Sequence, residues 1–138
     1  MNKTQRVYAV AKAHYEALKS ALDRLELDYC KAHGYTTESG ELAVAIYMIA
    51  SEEVFGQATE DFCRIYRQET DEMVAAQIAL HVVEDALIDW GLSVMPPHLV
   101  REREFLRDKG KRDYATRQKL IGLAFRMDPR TVPAAARR

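Results

Sequence analysis

Asn2–His33 reads NKTQRVYAVAKAHYEALKSALDRLELDYCKAH. Within it Tyr8, Ala11, Tyr15, Leu18, Leu22, Leu25 and Tyr29 recur at alternating steps of three and four residues, and neither proline nor glycine interrupts them. That spacing keeps side chains on one face of an α-helix. The stretch predicts one long helix of about 45 Å at 1.5 Å per residue, with Gly34 as its C-terminal cap. Three of the face residues are tyrosines, so the buried stripe is bulky and carries polar tips.

Helical signals continue down the chain. Thr36 or Thr37 is placed to cap a second helix, with Glu38 and Glu41 near its positive end. Leu42–Ala50, LAVAIYMIA, is apolar all round and reads as a central bundle helix. Ser51-Glu52-Glu53 marks a new N-terminus, Gly56 is a weak point where that helix breaks or kinks, and Phe55, Phe62, Ile65 and Tyr66 form a further stripe. Thr70-Asp71-Glu72 opens another helix, on which Met73, Ala76, Leu80, Val83, Leu87 and Trp90 share a face and which Gly91 ends. After Ser93-Val-Met-Pro-Pro, Pro97 suits a first helical position. Leu99, Arg103 and Leu106 recur at helical spacing up to Gly110, and Asp113 caps a last helix running to about Phe125. No segment alternates as a strand does. The fold class expected is all-α: a compact bundle of four to six helices with a long N-terminal helix and a basic helical C-terminal segment.

Charge is distributed unevenly. From Glu38 to Pro97 there are 12 acidic and two basic residues, a balance of −10, while His98 to Arg138 carries 12 basic and five acidic, a balance of +7. The chain therefore divides into a helical body, 1–97, with an acidic middle, and a basic segment, 98–138, with one compact domain overall as the simpler variant. Its 138 residues at 48% hydrophobic suffice for a core without staples. Cys30 and Cys63 both sit in apolar-periodic stretches and read as reduced core thiols. The N-terminus is charged and amphipathic, without the apolar core of a signal peptide, and the longest apolar run is too short to span a membrane. A cytoplasmic protein is expected.

Three constellations invite chemistry. Glu38-x-x-Glu41 and Glu69-x-x-Glu72 each place two carboxylates one helical turn apart, a spacing loosely reminiscent of the all-helical nucleotide pyrophosphatases that hold Mg²⁺ between such pairs. The downstream Glu-x-x-Asp of that group is missing, and acidic residues at helix starts serve the dipole alone. His81-Val-Val-Glu84-Asp85 reverses the order a carboxylate-bridged di-iron site needs and occurs once, so a simple His81–Asp85 pair is the plainer reading. No zinc spacing, phosphate loop or nucleophile–base signature is present. Neither catalytic residues nor metal or cofactor ligands are assigned.

The third constellation is C-terminal. Ile121-Gly-Leu-Ala-Phe125-Arg-Met127-Asp128-Pro-Arg-Thr131-Val132 resembles the middle of a helix-turn-helix. On that resemblance Gly122 sits where the helices cross, Phe125 and Met127 are anchors, Asp128 caps the second helix, and Arg130 and Thr131 face the groove. Arg126 stands where the turn usually has glycine, and Pro133 falls five residues into the recognition helix. Arg112, Arg117, Lys119, Arg126, Arg130 and Thr131 are the nucleic-acid-binding candidates of this reading, in which DNA is the partner. Interleaved Glu102, Glu104, Asp108 and Asp113 oppose it by repelling phosphate.

A binding protein without chemistry is the favoured expectation. Glu52, Glu53, Glu60, Asp61, Glu69, Asp71 and Glu72 would form an extended negative face for a basic partner surface, such as that of a nucleic-acid-handling effector. Phe55, Tyr66 and Trp90 are the candidate apolar anchors beside it. Small helical inhibitors from phages and mobile elements, including anti-CRISPR proteins, occupy cationic channels in this manner, and the likeness is one of size, polarity and absence of catalytic motifs. The plain alternative is a solvated acidic surface. Another is a basic segment docked on the acidic middle, within the chain or in a symmetric homodimer.

Overall fold

The computed structural model describes residues 1–93 and 100–126. The fold is all-α. Five α-helices are present among the described residues: α1 (Lys3–His33), α2 (Glu52–Ile65), α3 (Arg67–Ser93), α4 (Val100–Arg112) and α5 (Tyr114–Arg126), with one 3₁₀ turn at Ile46–Met48. No strand occurs among them, and a single isolated bridge joins Thr36 to Leu42. The expected Pro97 start, Leu99, and Met127 to Arg138 lie outside the described residues.

Local chemistry accounts for the ends of α1. The Asn2 side chain accepts from the Gln5 N–H at 2.8 Å while the Gln5 side chain accepts from the Asn2 N–H at 2.8 Å, a reciprocal capping box. At the other end Gly34 takes φ +66°, the left-handed region that glycine enters without a Cβ clash. The Tyr35 N–H reaches the Cys30 carbonyl and the Gly34 N–H the Lys31 carbonyl, which closes a Schellman motif. Every residue of the Tyr8–Tyr29 stripe is buried or half-buried.

The chain divides into two compact units, Ala13–Ile78 and Met1–Lys12 with Ala79–Arg138. The first carries 13 acidic and five basic residues, a formal charge of −8, and the second eight acidic and 15 basic, +7. We call them the acidic and basic units.

In the acidic unit the core comprises Leu22, Tyr29, Cys30, Ala43, Ile46, Ile49, Ala58 and Phe62, with Leu25, Tyr35, Met48, Val54, Tyr66 and Met73 packed against it. Leu42–Ala50 contributes three of these core residues without forming the expected helix. Gly40 at φ +83° and the Thr37–Glu41 and Thr37–Gly40 backbone bonds make a tight turn instead. Beyond it Ala43, Ile46 and Ile49 point inward while Val44 and Tyr47 face solvent. The backbone finds partners outside the segment: the Ala43 N–H on the Tyr35 carbonyl, the Ala50 N–H on Thr36 and the Ile46 N–H on the Glu26 carboxylate at 3.1 Å. With those groups satisfied and three anchors buried, an internal helical ladder is not needed.

Ser51 caps α2 as expected, accepting from the Val54 N–H. Gly56 neither breaks nor ends that helix. Tyr66 alone separates α2 from α3, so α3 begins at Arg67, one turn before the Thr70 start expected from the pattern.

In the basic unit the buried hydrophobic residues among those described are Tyr8 of α1, Leu80, Leu87, Ile88 and Leu92 of α3, and Leu120, Ile121 and Ala124 of α5. The buried Gln5 amide donates to the Ala124 carbonyl at 3.0 Å, and the Tyr8 ring lies 5.4 Å from that of Phe125. Asp113 caps α5 as read from the sequence, accepting from both the N–H and the hydroxyl of Thr116. Those bonds hold the Asp113 carboxyl below the usual carboxylate range. Gly91 and Gly110 do not end helices but lie inside α3 and α4. A Cβ on Gly91 would stand 3.0 Å from Ala124 Cβ, so glycine is there for the close approach of α5. Gly122 has no described side chain near its absent Cβ, and the second helix of the helix-turn-helix in which it was expected at the crossing lies outside the described residues.

Gly56 and Gly91 therefore predict opposite effects. Gly56→Ala, with open space for the methyl, should raise stability by roughly 0.5–1 kcal/mol. Gly91→Leu should lower it by about 1–3 kcal/mol through overpacking. Urea unfolding of the two variants reads both signs.

Candidate functional site

The acidic candidates fall on α2 and the start of α3, all within the acidic unit. Six of the seven, Glu52, Glu53, Glu60, Glu69, Asp71 and Glu72, are exposed. None of the six forms an ion pair with a cation among the described residues; Glu72 accepts from the Gln68 amide at 3.1 Å. Asp61 differs. It is half-buried, pairs with Arg64 and accepts from the Tyr29 hydroxyl at 2.8 Å. Arg64 and Tyr29 hold its carboxyl below the usual range. Burial, reinforced by the Asp61 charge, raises the Tyr29 phenol. Asp61 is therefore structural, part of a cluster in which Tyr29 meets Phe62 edge-on and His33 stacks on Tyr35 with centroids 5.2 Å apart.

Beside this surface is a solvent-open cavity of about 290 Å³. Leu22, Ile46, Phe55, Phe62 and Met73 make its apolar walls, and Glu26, Tyr47, Thr59, Cys63 and Thr70 complete the lining. Phe55 and Tyr47 are both substantially exposed. Helical spacing in the sequence had singled out Phe55 and Phe62, but not the cavity. Glu26, Thr59 and Thr70 reach it from separate elements, and Tyr47 arrives through the non-helical segment. Of the other candidate anchors, Tyr66 is half-buried with its ring centroid 4.9 Å from that of Phe62, and Trp90 belongs to the basic unit.

Cysteine placement also departs from expectation. Cys30 is fully buried, and burial pushes its thiol up, assisted by the Glu26 charge; Cys63 is exposed. Both are free.

The metal-binding arrangements are not assembled. Glu38 and Glu41 lie in the turn before Leu42, not on a helix. His81 Nδ1 is 3.1 Å from Glu84, not Asp85. Among the described residues no group of three or more His, Cys, Asp or Glu side chains is placed to hold a metal ion.

The basic candidates separate into two kinds. Arg112, Lys119 and Arg126 are exposed. Arg117 is not free to meet phosphate, contrary to its expected role. Only 7% exposed, it pairs with Glu84 at 3.0 Å and Asp85 at 2.8 Å and also donates to the Gly110 and His81 carbonyls. Burial opposes its charge, but the hydrogen bonds to Asp85 and Glu84 outweigh burial and raise its pKa. Sequence spacing could not reveal this, because Glu84 lies 33 residues away. Arg126 ends α5 in helical conformation, while Arg130 and Thr131, with the rest of the supposed recognition helix, lie outside the described residues.

No helix among the described residues is long and apolar enough to cross a membrane. Compared with known proteins, the chain matches no protein family, no curated protein and no solved structure.

Removing one partner of the buried Arg117 pair should be costly. Arg117→Ala is expected to destabilise by about 3–5 kcal/mol, because it strands the buried Glu84 carboxylate. The double change Arg117→Met, Glu84→Leu should recover most of that loss. Equal destabilisation of the single and double variants in urea would show that packing, not the stranded charge, sets the cost.

Proposed function

We propose that this is a non-enzymatic binding protein whose acidic unit engages, and inhibits, a basic nucleic-acid-handling protein. The observation that carries the reading is the exposed, unpaired set Glu52, Glu53, Glu60, Glu69 and Asp71 beside an apolar cavity. Exposed carboxylates at this density create a negative field that steers a cationic partner and presents charges as a phosphate backbone does. Charge of this kind governs association rate and specificity more than affinity. Affinity comes from desolvating apolar groups at the centre of an interface, and the Phe55–Phe62 cavity supplies such groups. Phage and mobile-element inhibitors, anti-CRISPR proteins among them, are the functional class this combination suits.

A second reading has one observation behind it. The basic unit carries +7, with Arg101, Lys109, Lys111, Arg112, Lys119 and Arg126 exposed, as a DNA-binding regulator would require. Burial of Arg117 removes one phosphate contact from that reading. If duplex DNA is the partner, a gel shift with the full chain at 50 mM salt should show binding whose log–log salt slope is several units. Absence of a shift there discards it.

The acidic-surface reading is tested by capture on the immobilised full chain, release by graded salt, and kinetics of the released protein. The tightest partner should be basic, and its DNA binding should be competed by this chain. Reversing Glu52, Glu53, Glu60 and Glu69 to lysine should slow association at least tenfold; Asp61 is left intact because it holds Tyr29. A partner that associates equally fast with the reversed variant would make the acidic face a solvated surface only.

A further inference from the structure

Helix α4 presents an aromatic ring among cations. Phe105 is 65% exposed, and Tyr114, the first residue of α5, is 77% exposed. A single exposed ring is ordinary; the neighbours of Phe105 make it informative. Residues four and seven apart on a helix share a face. Arg101 stands four residues before Phe105, Lys109 four after and Arg112 seven after, so three cations and the ring form one stripe along α4. All four side chains are exposed, and none of the three cations forms an ion pair among the described residues, although Lys109 helps to hold the Asp113 carboxyl low. At 1.5 Å per residue the stripe runs about 16 Å. Tyr114 follows two residues after Arg112, so a second exposed ring stands next to its last cation.

The stripe is also narrow. Glu102 and Asp108, three residues before and after Phe105, are exposed on its two sides. A polyanion is therefore drawn along the line of Arg101, Lys109 and Arg112 and repelled on either side of it. One phosphate strand fits such a track. A helix lying in a duplex groove has phosphates along both its sides, and these would meet Glu102 and Asp108. The rings carry the same preference: aromatic side chains stack on base faces, which are free in an unpaired strand. An acidic protein segment would give the cations a partner but leave the ring between them without a role.

We propose that the α4 stripe binds single-stranded nucleic acid, with phosphates on Arg101, Lys109 and Arg112 and bases stacked on Phe105 and Tyr114. Binding is indifferent to sequence, because every base has a face to stack and no base edge is read. Every residue used belongs to the basic unit, so the inference stands apart from the acidic-surface reading, and it differs from the duplex reading in the ligand.

The test measures fluorescence anisotropy of a labelled oligothymidylate of about 12 nucleotides, free or paired with oligodeoxyadenylate, as the full chain is added at 50 mM salt. The single strand should bind at least tenfold more tightly than the duplex. Phe105→Ala should weaken single-strand binding roughly tenfold and leave its log–log salt slope unchanged, because a ring releases no counterions. Phe105→Trp should restore the affinity. Arg101→Ala should instead lower the slope by about 0.7, the share of one phosphate contact on a single strand. Separation of affinity from slope is a readout that a folding defect would not produce. Full binding by Phe105→Ala, or displacement of the oligonucleotide by polyglutamate at equal charge, would overturn the proposal by making the stripe a site for any polyanion. Duplex bound as tightly as single strand would overturn it in favour of the duplex reading, and no binding of either would discard both. None of these outcomes touches the acidic-surface reading, whose test reverses residues of the other unit.

Discussion

α1 contributes residues to both units. Near its start Gln5 and Tyr8 are buried in the basic unit, the first bonded to the Ala124 carbonyl and the second against Phe125. Further along, Leu22, Tyr29 and Cys30 enter the core of the acidic unit. The alternating three- and four-residue spacing keeps the apolar stripe of α1 on one side of the helix. The helix must also stop cleanly, because the chain turns back after His33 to supply Ala43, Ile46 and Ile49 to the core. Gly34 in the left-handed region makes that stop possible.

Charge is divided between the compact units as it is along the linear sequence. Counted along the chain, acidic and basic blocks meet near residue 97. Counted by compact unit, the acidic unit carries −8 and the basic unit +7. The units also use their charges differently. In the basic unit Arg117, Glu84 and Asp85 are drawn into a buried network with the Gly110 and His81 carbonyls. In the acidic unit Asp61 is drawn in by Tyr29 and Arg64, while Glu52, Glu53, Glu60, Glu69, Asp71 and Glu72 are exposed. Desolvating a charge is costly unless it is paired, so carboxylates that form no ion pair stay outside, where their field acts at a distance.

The proximity of that field to an apolar cavity is what gives the acidic surface a functional reading. Charged residues alone bring a partner in quickly but hold it weakly. An apolar recess gives an approaching side chain surface to bury, and burial of apolar area is the main source of affinity in association. Phe55 and Tyr47 are exposed at the recess although the protein has a packed core into which such residues ordinarily go. Their exposure is a cost to the isolated chain that an occupant would relieve.

What the sequence by itself determined were the features governed by neighbours a few residues apart. The α1 stripe, the Ser51 and Asp113 caps, the Gly34 stop, and the shared face from Met73 to Trp90 all depend on helical periodicity or on a side chain reaching its own backbone, and each was legible. The acidic character of the region around α2 was legible for the same reason. Tertiary structure decided everything that required distant groups to meet. Leu42–Ala50 reads as a helix because it is uniformly apolar, yet its backbone is held by Tyr35, Thr36 and Glu26 and only every third side chain is buried. Gly91 reads as a helix end, yet it is internal because Ala124 approaches it. Asp61 looks like its acidic neighbours until Tyr29 is found bonded to it, and Arg117 looks like a surface cation until Glu84 and Asp85 enclose it. The cavity belongs to the same class: α1, the Ile46–Met48 turn, α2 and α3 each supply part of its wall. No periodicity encodes such a meeting, because the groups involved are separated in the chain and are joined only by the packing of the folded protein.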